Sequence, residues 1–117
     1  MKNFTTEINE KKRKKVKAEL IVPRAVESIE ATIKSELNKE PVNDPISILI
    51  KSRYILSDCL QTNETVDSTY KLFKLLKKEI KKTGFKVTSF YRKGDNHIPE
   101  ILVLLDKEEF CFILDSK

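Results

Sequence analysis

The chain has 117 residues, enough for one domain and one core. It carries 23 Lys plus Arg against 18 Asp plus Glu, a net charge of +5, with 39% hydrophobic and 35% charged residues. Two glycines in all exclude a Walker or Rossmann phosphate loop, and no apolar run reaches the ~18–20 residues of a membrane span.

The N-terminus lacks the apolar stretch of a secretory signal. Two cysteines, Cys59 and Cys111, have neither CxxC nor Cys/His spacing, which argues against zinc and a disulfide scaffold and for a reducing, cytoplasmic setting. Residues 1–22 are expected to form a basic helical arm. Its segment Lys11-Lys12-Arg13-Lys14-Lys15-Val16-Lys17 reads first as a solvated helical arm, and otherwise as a phosphate-contacting arm or a nuclear localisation signal.

Residues 23–117 are expected to hold helices plus an αβββ unit. A first helix starts at Pro23, with Val26, Ile29, Ile33 and Leu37 at helical spacing, and Pro41 stops it. Asn43-Asp44-Pro45 opens a second, and the apolar content of Ile46 to Leu60 suggests a largely buried helix. A third runs from Thr62 to Thr83. Val66, Tyr70, Phe73, Leu76 and Ile80 form its apolar stripe, Lys71, Lys74, Lys77, Lys78, Lys81 and Lys82 its other face, and Gly84 its cap.

Beyond Gly84 the period changes to two. Residues 85–91 read as a strand, Arg92-Lys93-Gly94-Asp95-Asn96 as a turn, and 101–105 and 110–114 as buried strands joined by a hairpin loop over 106–109. The fold class expected is α+β, with N-terminal helices followed by an αβββ unit and a mixed sheet. One sheet face lacks a cover, so the core is expected to be completed by further sequence or by another chain.

If residues 101–105 and 110–114 form an antiparallel hairpin, Glu100 and Asp115 meet at one sheet edge, with Lys117 on the same face as Asp115. Two converging carboxylates call for a divalent cation, and a neighbouring lysine could orient an attacking water. That arrangement would suit phosphodiester hydrolysis.

Pro99-Glu100, fourteen intervening residues and Asp115-Ser116-Lys117 resemble the motif of the PD-(D/E)xK nuclease superfamily. The nearest flavour is the FokI-type cleavage domain, through Gly84-Phe85, Arg92-Lys93-Gly94 and Ile113-Leu114 before Asp115. The resemblance implies a restriction-endonuclease-like core, here truncated, and Mg²⁺-dependent cleavage of double-stranded DNA. It makes Glu100, Asp115 and Lys117 catalytic, with Glu100, Asp115 and the Ser116 carbonyl as metal ligands. Asp67 would be an additional acid. Such a cleavage domain or subunit is aimed by a recognition domain or large subunit, or pairs with a second cleavage unit. By that resemblance Glu100 replaces the usual aspartate and the family's last helix and strand would lie beyond Lys117, so the polypeptide alone is expected to be inactive.

Lys77, Lys78, Lys81, Lys82, Arg92 and Lys93 are expected to hold the DNA backbone. Two other readings stand beside the nuclease: a non-catalytic basic nucleic-acid-binding module, and a small protein-interaction domain using an exposed sheet. His97 reads as surface decoration, and both cysteines as core.

Overall fold

The structure, a computed structural model, describes Phe4, residues 14–93 and residues 108–116. The elements in order are β1 (Lys14–Val16), α1 (Ala18–Leu37), β2 (Ile46–Lys51), α2 (Ser52–Cys59), β3 (Glu64–Val66), α3 (Thr69–Lys81), β4 (Lys86–Lys93) and β5 (Glu108–Asp115). This is an α+β fold with strand pairings of both senses. β1 and β3 pair in parallel, and a second sheet of order β2-β5-β4 is antiparallel throughout.

Alternation along β5 organises the core. Phe110, Phe112 and Leu114 are fully buried, while Glu109, Cys111, Ile113 and Asp115 take the opposite face. Ile46 and Ile48 of β2 stand opposite Leu114 and Phe112, so the buried face continues across that ladder. The same core takes Ile21, Ala25, Ile29 and Ile33 of α1 and Leu72, Phe73, Leu76 and Ile80 of α3. On the outer face Leu49 and Phe90 are 59% and 52% exposed.

Several expectations are corrected. Residues 46–60 are a strand followed by a short helix, not one buried helix. Ile46-Ser47-Ile48-Leu49 alternates buried and exposed, and β-branched side chains fit that pleat better than a helix. The first helix begins at Ala18, so it runs through the expected boundary between arm and domain, and Pro23 lies inside it rather than at its first turn. Lys14–Val16, expected as helical arm, is strand. The third helix starts at Thr69, not Thr62. Ser68 is its N-cap, its hydroxyl accepting the Lys71 N–H at 3.2 Å, and Val66 belongs to β3. Gly84 does adopt the positive φ (96°) that the end of the helix calls for.

The strand expectations met different fates. Residues 85–91 and 110–114 correspond to β4 and β5, and Glu108 and Glu109, expected in a hairpin loop, open β5. Residues 101–105 lie outside the described residues. The side-by-side position expected for them along β5 is held by other strands: β2 flanks Glu109–Leu114 on one edge and β4 flanks Glu108–Asp115 on the other.

Candidate nucleic-acid interface

α3 is strongly two-sided. Leu72, Phe73, Leu76 and Ile80 are buried, and its cations fall on two flanks. Toward α1, Lys71 forms an ion pair with Glu19 and lies 3.9 Å from Asp67. The Lys71 bond holds the Glu19 carboxyl below its ordinary range, and Glu19 raises Lys71 in turn.

Toward β4, a groove of about 450 Å³ is lined by Tyr70, Phe73, Lys74, Lys77, Lys78, Lys81, Ser89 and Tyr91. Lys74, Lys77, Lys78 and Lys81 follow i, i+3, i+4 and i+7 spacing, which sets them along one side of a helix. Lys77, Lys78 and Lys81 have no ion-pair partner among the described residues. Lys74 Nζ lies 5.3 Å from the centroid of the Tyr70 ring.

The floor of this groove is aromatic. Phe73 lies 5.5 Å from Tyr91 and 5.4 Å from both Phe110 and Phe112, and Tyr70 meets Tyr91 edge-on at 5.3 Å. Burial beside the Glu108 carboxylate pushes the Tyr91 phenol above its ordinary range. A rigid aromatic bed beside four ammonium groups can take a polyanion that also carries flat rings.

The expected backbone-binding set is therefore brought together only in part. Lys77, Lys78 and Lys81 line the groove. Lys82 pairs instead with Glu79 at 3.0 Å. Arg92 stands opposite Glu109 on the outer sheet face, away from α3, and Lys93 is placed opposite Glu108. Lys74, Ser89, Tyr91 and Glu108 were absent from the expected site. The strand reading already put Ser89 and Tyr91 on one face; what it lacked was the helix that face meets.

The expected catalytic set is divided. Glu100 and Lys117 lie outside the described residues, as does His97. Asp115 ends β5 with Lys86 opposite in the register. The Ser116 hydroxyl donates to Asp44 Oδ2 at 2.5 Å, and its N–H reaches Asp44 Oδ1 at 3.4 Å, so Asp44 is the acid beside Ser116. Asp67 lies before α3 rather than in it. Its Oδ1 accepts the N–H groups of Ala18 (3.0 Å) and Ser68 (2.8 Å), a cap on the start of α1 supplied from another element.

Among the described residues no group of three or more His, Cys, Asp or Glu side chains could hold a metal ion. No described helix is long and apolar enough to cross a membrane. Cys59 and Cys111 are free and half-buried, and burial raises the Cys59 thiol.

No protein-family model matches the chain, and no curated protein or solved structure matches it either.

Proposed function

We propose that the chain is a nucleic-acid-binding module that holds a phosphate backbone along the α3–β4 groove. The observation that carries this reading is the file of Lys74, Lys77, Lys78 and Lys81 beside Tyr70 and Tyr91. From Lys74 to Lys81 the helix rises about 10 Å. That exceeds the ~3.4 Å axial spacing of phosphates on one strand, so the file can serve more than one of them.

The test is a salt titration of nucleic-acid affinity. Replacing Lys77, Lys78 and Lys81 together by Ala is expected to weaken binding about a hundredfold at about 0.1 M salt. It should also flatten the log–log salt slope by about 2 to 3. An unchanged slope removes the groove from the function.

A second reading is the Mg²⁺-dependent, restriction-type endonuclease with its restriction-endonuclease-like core, acting on DNA with a recognition domain or partner unit. In its favour, Asp115 and Ser116 leave the central strand beside Asp44, an acidic and hydroxylic corner. Against it, the edge of β5 that the motif's hairpin needs is taken by β4. Plasmid nicking in Mg²⁺ by the longest available version of the protein, lost in Asp115→Ala, would promote this reading, and equal, measurable nicking by both proteins would discard it.

A further inference from the structure

A second cavity, of about 500 Å³, adjoins the lysine groove and shares Tyr70 and Tyr91 with it; Ser68, Thr69 and Glu108 complete its lining. The two cavities carry opposite chemistry. One presents ammonium groups, the other a carboxylate and hydroxyls. A nucleotide is divided the same way, with its charge on the phosphate and its N–H donors on the base. Glu108 and Tyr91 line this second cavity together. A carboxylate has about four acceptor sites, enough to take two N–H donors side by side. Tyr70 is 51% exposed at the junction and offers ring surface for a base to stack on.

We propose that this pocket takes a guanine base from a single-stranded nucleic acid whose phosphates lie along Lys74, Lys77, Lys78 and Lys81. The inference rests on the phosphate-groove reading and adds the base and the strandedness. Guanine presents two adjacent donors, N1–H and N2–H, on its Watson–Crick edge, and they match the two oxygens of Glu108. Adenine and cytosine offer one amino donor beside a ring acceptor that a carboxylate repels. Thymine and uracil flank their N–H with two carbonyls. In a duplex that guanine edge is consumed by pairing, so only an unpaired strand presents it. The lysine file is longer than one phosphate needs, which favours a strand over a free mononucleotide.

Fluorescence anisotropy with labelled oligothymidylates tests this. Each strand carries one central guanine, hypoxanthine (guanine without its N2 amine) or adenine; the guanine strand is also tested as a duplex, and GMP serves as competitor. The guanine strand is expected to bind about tenfold tighter than the others. Glu108→Gln, which keeps the size but turns one acceptor oxygen into a donor, should cut that preference to about twofold and leave the other strands near wild type. Glu108→Asp, which keeps the charge but withdraws it by one methylene, should lose the preference as well. Thermal unfolding followed by circular dichroism checks that both variants are folded. Equal affinity for every strand would overturn the base pocket while the groove stands, and failure to bind any nucleic acid would end both. A uniform gain of affinity in Glu108→Gln would reduce Glu108 to a repulsive charge and overturn the pocket. GMP competing as well as the guanine strand would overturn the choice of a strand.

Discussion

The two flanks of α3 carry the same residue type to different ends. On the α1 side Lys71 is answered by Glu19 and lies near Asp67, so its charge is spent inside the fold. On the β4 side Lys77, Lys78 and Lys81 meet no carboxylate among the described residues, and their neighbours are aromatic rings. A lysine run in a sequence is thus two features here, one structural and one available to a partner. What separates them is the element each flank faces, not the helix that carries them.

The comparison breaks most readily at the side chain between the flanks. Phe73 contacts Tyr70, Tyr91, Phe110 and Phe112, so Phe73→Ala should cost about 3–5 kcal/mol in denaturant unfolding and loosen the floor of the groove. A cost near zero would mean that the sheet and α3 are not packed as described. Asp67→Ala tests the α1 flank. Losing a capping carboxylate should lower stability by about 1 kcal/mol, with nucleic-acid affinity unchanged.

The smallest effect belongs to the exposed Glu19–Lys71 pair. Glu19 is lowered in the fold, so its contribution is present above the ordinary 4.5 and fades as pH falls through the lowered value. Lys71 is raised, so its contribution is present below the ordinary 10.5 and fades as pH rises through the raised value. Glu19→Gln should therefore flatten the acid limb of the stability curve slightly, and only at low salt. Lys71→Ala should leave the nucleic-acid salt slope as it is, unlike the three lysines of the other flank. An equal drop in slope would erase the distinction between the flanks.

Local signals in the sequence suffice where a single element decides the outcome. The stripe of Phe73, Leu76 and Ile80, the change of period after Gly84, and the strands over 85–91 and 110–114 all appear in the fold. Tyr70 left that stripe, because it lies at the rim where helix meets sheet. The Ile46–Leu60 segment misled because a short apolar run has no decisive period, and the β-branched alternation of its first half was outweighed by overall apolarity. Pro23 suggested a helix start, yet the start is set at Ala18 by a carboxylate forty-nine positions away in sequence. The candidate site was only half legible for the same reason. Its lysines share one helix and can be counted along it, whereas Ser89, Tyr91 and Glu108 reach it through strand pairing that no local pattern encodes.

Asp67 has a mechanical consequence. Its backbone N–H is tied to the Val16 carbonyl, and its carboxylate fastens Ala18 and Ser68, so one residue pins the end of a strand and the beginnings of two helices. Neither helix can fray from that end without slackening the other. A load applied to α3, as by a ligand drawn against its lysines, is therefore borne at the root of α1.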